Sequence, residues 1–122
     1  MKLIKVFSLV LLFCFNCNSD DNNDISCTLE FIYGLNITLI DADTTQVITS
    51  NVELIITEGS YQETLMNLDG SEYFIGAGER AGTYILNITA INYEDYTSEP
   101  IVISEDICHV IPQVLAITLQ PL

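Results

Sequence analysis

Few side chains in this 122-residue chain can do distinctive chemistry. They are four cysteines (Cys14, Cys17, Cys27 and Cys108), one histidine (His109), and 17 carboxylates set against Lys2, Lys5 and Arg80. A thiol can be acylated, paired as a disulfide, bound to a metal or used in redox exchange, and its sequence surroundings separate these uses. Cys17 is preceded by Lys2, Lys5 and the apolar run from Val6 to Phe15. It is followed by Asn18-Ser19-Asp20-Asp21-Asn22-Asn23-Asp24, which contains no apolar residue. A charged start, a short apolar stretch and a cysteine at the boundary form the pattern of an export signal ending in a lipid-modified cysteine. The apolar run is about half of the roughly twenty residues that span a bilayer, so residues 1–16 read as a cleaved signal. Cys14, after Leu11-Leu12-Phe13, is the rival lipidation site; Cys17 is preferred because polarity begins there abruptly.

With Cys17 acylated and Cys14 removed, Cys27 and Cys108 remain. Export implies an oxidising compartment, so the pair is expected to form a disulfide between the entries of the first and last strands. The closed loop of about 80 residues carries a chain-entropy stabilisation of at most about 4.5 kcal/mol. A redox role would want closely spaced thiols, as in Cys-x-x-Cys, which these are not. His109 has no second histidine to share a metal, and in a strand it and Cys108 would face opposite sides, so it reads as a structural or surface residue.

Catalysis finds no support. The chain has no Gly-x-Ser-x-Gly elbow, no His-Glu-x-x-His, and no phosphate-binding or dinucleotide glycine motif. No catalytic residue, metal or cofactor is therefore expected, and the protein reads as a non-enzyme. Asp20, Asn22 and Asp24 have the spacing of the first half of a Ca²⁺ loop but lack its glycine and distal Glu. Asp41 and Asp43, in the loop after the first strand, are a second Ca²⁺ candidate, and Asx turns explain them as well. Tyr61, Tyr73, Tyr93 and Tyr96 are the candidate stacking platforms for a glycan or other small ligand, with packing at sheet edges as the competing use. Loss of residues 1–16 leaves 17 acidic groups against Arg80 alone, a formal charge of −16. Such a surface repels nucleic acid and anionic head groups, so neither is an expected partner, and it favours solubility on a crowded membrane surface.

The elements that must carry these residues begin after a tether. Residues 17–26 comprise the lipidated cysteine and an acidic stretch with too little apolar surface to fold. From residue 27 to 122, Thr, Ile, Val, Tyr and Leu alternate with polar residues in short runs broken by Gly, Asp-Gly, Asn or Pro. No mature segment shows helical spacing. Seven strands are predicted, near 29–40, 51–58, 61–66, 72–77, 82–91, 97–104 and 109–119. Their inward faces are Leu35, Ile37 and Leu39; Val52, Leu54 and Ile56; Tyr84, Leu86, Ile88 and Ala90; and Leu115, Ile117 and Leu119. Pro100 suits an edge position in the sixth. Seven short alternating strands imply an all-β fold, an antiparallel sandwich of two sheets.

The stretch from Gly34 to Leu119 resembles carboxypeptidase regulatory-like domains. The likeness lies in Leu35-Asn36-Ile37-Thr38-Leu39-Ile40-Asp41, in Glu79-Arg80-Ala81-Gly82-Thr83-Tyr84-Ile85-Leu86-Asn87-Ile88, and in Ala90-Ile91-Asn92-Tyr93. The last is similar to the family's Ala-x-Gly-Tyr, with Asn92 where Gly is usual; Asn also tolerates positive φ, so the turn is expected to survive. The signal and acidic stretch are similar to those of Bacteroidetes-type lipoproteins, in which such a stretch accompanies transport to the outer face of the outer membrane. The resemblance implies a transthyretin-like (prealbumin-like) sandwich with no catalytic residues, serving as an accessory to other proteins or in peptide or glycan binding. The expected partners are the membrane, through acyl chains on Cys17, and an unidentified envelope protein or glycan.

Overall fold

Alternation with a period of two puts every second side chain on one face of an extended strand, and burying that face requires a second sheet. The computed structural model, which describes residues 25–122, realises this arrangement with ten strand segments. They are β1 (Tyr33–Asp41), β2 (Val47–Ile48), β3 (Val52–Glu58), β4 (Tyr61–Thr64), β5 (Met66–Asn67), β6 (Phe74–Gly78), β7 (Gly82–Ala90), β8 (Tyr96–Thr97), β9 (Ile101–Ile103) and β10 (Gln113–Leu119). One sheet has the order β10-β1-β6-β5 with β2 on β1; the other has β4-β3-β7-β8 with β9 on β7. No helix among the described residues is long and apolar enough to cross a membrane.

The inner faces are the ones the alternation marks. Leu35, Ile37, Leu39, Ile117 and Leu119 from one sheet meet Leu54, Ile56, Tyr84, Leu86 and Ile88 from the other, all buried. Each such side chain contributes about 1.5–3 kcal/mol by leaving water. Val52, Ala90 and Leu115, nearer the rims, are partly buried against this core.

Ten segments stand where seven strands are predicted, and each difference has a local cause. The strand expected over 61–66 breaks at buried Leu65, whose N–H donates to Leu54 O at 2.8 Å. There the chain changes sheets, so β4 pairs with β3 while β5 pairs with β6. The strand expected over 97–104 divides into β8 and β9, because Pro100 has no N–H to pair and Ser98 bonds to Leu86 through both its N–H and its Oγ. The third addition is β2, which folds back on Leu39 and Ile40. The first strand starts at Tyr33 and not at residue 29, since Ile32 is held by the Glu79 backbone and carboxylate. The last starts at Gln113 and not at 109, past Pro112 and a loop closed by a Glu105–Val110 bridge.

The pairings are antiparallel except one: β1 and β10 run parallel, from Leu35 opposite Gln113 to Asp41 opposite Leu119. Parallel neighbours start at the same end of the sheet, and the Cys27–Cys108 disulfide joins these two starts, with Cα atoms 5.3 Å apart across 81 positions. The sandwich thus has two unlike ends. The near end carries the disulfide, the β3–β4 hairpin and the β6–β7 turn. The far end carries the loops after β1 and β7 and the chain's last residues.

Candidate functional site

At the near end the β6–β7 turn is wound through positive φ at Ala77 (51°) and Glu79 (47°). Between them, the Phe31 ring lies where a side chain on Gly78 would have to go. This winding sends Glu79 and Arg80 to different partners. Arg80 Nη1 donates to Glu58 Oε1 at 3.0 Å and to Tyr84 Oη at 2.7 Å, and its guanidinium lies 3.6 Å over the Tyr61 ring. Tyr84, buried to its ring, donates in turn to Arg80 O at 2.8 Å. Glu58 also accepts the Thr83 N–H, and a Cβ at Gly82 would sit 2.6 Å from that carboxylate, so a larger residue there would displace it. The Thr83 amide and Arg80 hold Glu58 below the usual carboxylate range. Tyr61 donates to Glu63 at 2.6 Å, which with partial burial pushes its phenol up to about 12.

Glu79 turns the other way, onto the segment after Cys27 and the loop before β10. Its Oε1 accepts the Ile32 N–H at 2.8 Å and lies 2.7 Å from His109 Nδ1, while Oε2 accepts the Val110 N–H at 3.4 Å. His109 Nε2 is 3.0 Å from Thr28 Oγ1. Burial pushes the Glu79 carboxyl up, but the bonds from Ile32, His109 and Val110 outweigh it and hold it below the usual range. Asp106 Oδ1 accepts the N–H groups of Cys108 (2.8 Å) and His109 (2.9 Å), which lower its pKa. An open cavity of about 450 Å3 lies here, lined by Thr28, Glu30, Glu79, Glu105, Asp106 and His109 among others.

The order Thr28–His109–Glu79 is that of a nucleophile, a base and an orienting carboxylate. Its surroundings serve packing instead. The carboxylate is shared with two backbone N–H groups, those of Ile32 and Val110, and the amides of Cys108 and His109 are spent on Asp106. The arrangement ties the crosslinked corner together, with His109 bonded to Thr28 and Glu79 within it.

The far end is built differently. Asp41 Oδ1 accepts the N–H groups of Asp43 and Thr44, both at 2.8 Å, which is the Asx turn the sequence implies. Asp41 Oδ2 accepts the Tyr93 hydroxyl at 2.5 Å. The Tyr93 bond, then the Thr44 amide, lower the Asp41 pKa, and the same pairing raises that of Tyr93. Thr45, Asn51 and Asn92 all adopt positive φ (60°, 56° and 69°), so the turn at Asn92 does form without glycine. Between these loops runs a groove of about 460 Å3. Gln46, Thr49, Ser50, Asn51 and Asn92 contribute uncharged polar groups to it, and Asp41 is the only carboxylate among its described lining residues.

The four tyrosines singled out by sequence are not brought together. Tyr61 lies at the near end with Arg80 over its face, Tyr93 borders the far groove, Tyr96 packs against the core beside β10, and Tyr73 stands 46% exposed in the loop before β6. Cys17 and the Asp20–Asp24 stretch lie outside the described residues. Sequence reading passed over Glu79, Asp106 and Thr28 as partners of His109. One signal was available: Asp106 stands two and three residues before Cys108 and His109, the spacing of an Asx turn. Among the described residues no group of three or more His, Cys, Asp or Glu could hold a metal ion.

Fold and sites together define an all-β, sandwich-like domain with a Cys27–Cys108 disulfide, a cluster of polar contacts at one end and a polar groove bordered by the Asp41 carboxylate at the other. No protein-family model matches the chain, and no curated protein matches it.

Proposed function

We propose that this chain is a non-catalytic, lipid-anchored β-sandwich of the bacterial cell envelope, held at the outer membrane through Cys17 and acting as a structural or binding accessory to another envelope component. The finer reading of its fold is the transthyretin-like sandwich of carboxypeptidase regulatory-like domains. One observation carries the proposal: the chain enters the domain beside Cys27, at the end crosslinked to Cys108, and the polar groove beside Asp41 and Tyr93 lies at the opposite end. A tether ending in acyl chains would therefore pull on the covalently closed corner and turn the other end away from the bilayer. Several acyl chains give the stable attachment that one does not. The alternative, a lipoprotein that binds a glycan, peptide or small ligand, is favoured by the uncharged polar lining of the groove beside Tyr93.

Membrane fractionation tests the anchor. Cys17→Ala is expected to release the protein from the membrane fraction with its fold intact, while Cys14→Ala stays bound. Retention of Cys17→Ala in the membrane fraction overturns the anchoring claim.

A further inference from the structure

Open sheet edges offer unpaired N–H and C=O groups to any extended chain, and proteins blunt them with charge, proline or short strands. Most edges here are blunted in that way. The strand segments β5 and β8 have two residues each, β9 has three and follows Pro100, and β4 carries Glu63. The exception is β10, with seven residues, Gln-Val-Leu-Ala-Ile-Thr-Leu, none charged and none proline.

The groups that point outward follow from two bonds. Ala42, in the loop after β1, donates to Leu119 O, while Glu94, on the opposite side, donates to Gln120 O. Backbone groups alternate sides along a strand, so residues 113, 115, 117 and 119 face β1, and Val114, Ala116 and Thr118 turn their N–H and C=O groups outward. Beyond them the same edge is already occupied, through the Glu94–Gln120 bond and the Tyr93–Pro121 bridge. Across the open stretch stands the Tyr96–Ile101 segment of the other sheet, which leaves a cavity of about 270 Å3 against Leu115 and Ile117. Glu99 lines that cavity, and Glu94 closes one end of the edge.

We infer that this edge receives an extended segment of another protein, which adds as a strand along Val114, Ala116 and Thr118. Apolar side chains on its inner face enter the slot between Leu115, Ile117, Tyr96 and Ile101. Lysine or arginine on its other positions meets Glu94 and Glu99. Main-chain bonds supply affinity in this mode of recognition, and alternate side chains supply selectivity. Charge selects the occupant: a chain carrying 17 carboxylates, with Arg80 the one cation among its described residues, repels a second copy of itself and attracts a basic segment. The inference rests on the accessory reading above and names the surface by which the protein would meet its client.

The test uses the full chain and the synthetic peptide Lys-Val-Lys-Val-Lys-Val-Lys. Binding is expected to slow amide exchange at Val114, Ala116 and Thr118, and to weaken about tenfold when the central valine and the lysine after it are both N-methylated, since one of two successive N–H groups faces β10 whichever way the peptide runs. Ala116→Pro removes an outward donor at an edge position and should weaken binding by a similar factor. Thr118→Lys, which leaves the strand backbone intact, should weaken it through charge. Three results would overturn the inference: no binding, equal affinity for the N-methylated peptide, or protection of these amides that grows with protein concentration alone and so assigns the edge to a second copy. Failure of the peptide alongside release of Cys17→Ala from membranes removes the edge assignment alone. Retention of Cys17→Ala removes the anchor and leaves the edge standing.

Discussion

The two ends of the sandwich solve the same problem, holding loops in place, by different physics. At the near end, side chains do it: the disulfide closes the corner, Glu79 ties two loops together, and Arg80 joins a carboxylate, a phenol and an aromatic face. At the far end one side chain, Asp41, holds the loop after β1 and the Tyr93 hydroxyl, and backbone conformation does much of the rest, through the positive-φ residues Thr45, Asn51 and Asn92. A corner held by polar side chains spends its hydrogen-bonding capacity on itself. Turns held by backbone geometry leave Gln46, Ser50 and Asn51 side chains lining an open groove. The lesson is that the end richer in titratable side chains is the one whose side chains are bonded to one another and to its loops.

Three measurements test that contrast. The largest effect is expected from the disulfide: Cys27→Ser or Cys108→Ser should cost about 2–5 kcal/mol in denaturant unfolding. Amide exchange in these variants should rise around Thr28–Tyr33 and Ser104–Ile111 well before it rises around Asp41–Ile48. A uniform rise would mean the ends are not separately held.

Acid comes next. Glu58, Glu79 and Asp106 at the near end, and Asp41 at the far end, all have lowered pKa values when folded. The unfolded chain therefore binds more protons than the folded one in acid. The stability these groups contribute is fully present above the unfolded carboxylate value of about 4 and is lost as pH falls through their lowered folded values. Exchange followed in this window should show the amides of Ile32, Thr83, Cys108 and His109 losing protection. Unchanged protection of these amides below that window would contradict the holding role of these polar contacts.

The smallest effect belongs to the far end. Asn92→Ala forces a side chain without local hydrogen-bonding capacity into positive φ and should cost about 1 kcal/mol, whereas Asn92→Gly should be neutral to within about 0.5 kcal/mol. Thermal unfolding distinguishes them, and equal stability of the two variants would remove backbone conformation as the device that holds this end.

Much of the fold is legible in the chain because strand alternation is a local signal. Leu35, Ile37 and Leu39 are buried as their spacing requires, as are Leu54, Ile56, Tyr84, Leu86 and Ile88. The turns at Gly59 and Gly70, both at positive φ, follow from residue type alone. The Cys27–Cys108 disulfide stands where the cysteine count led one to be expected. What was not legible depended on distant partners. Leu65 reads as the continuation of a strand, and it changes sheets only because Leu54 and β6 wait on either side. The thirty positions between Glu79 and His109 hide their pairing, as do the 81 between Thr28 and His109.

The order of residues thus dictated the strand-rich texture, the faces that leave water, the turn positions and the pairing of Cys27 with Cys108, since each depends on residue type, short spacing or simple elimination. Three features came from how the strands stack: the parallel pairing of β1 with β10, the lock that ties Glu79 to His109, and the open edge at Val114, Ala116 and Thr118. Each depends on which strand lies beside which, a long-range choice made by packing two sheets at once, and no local pattern records it.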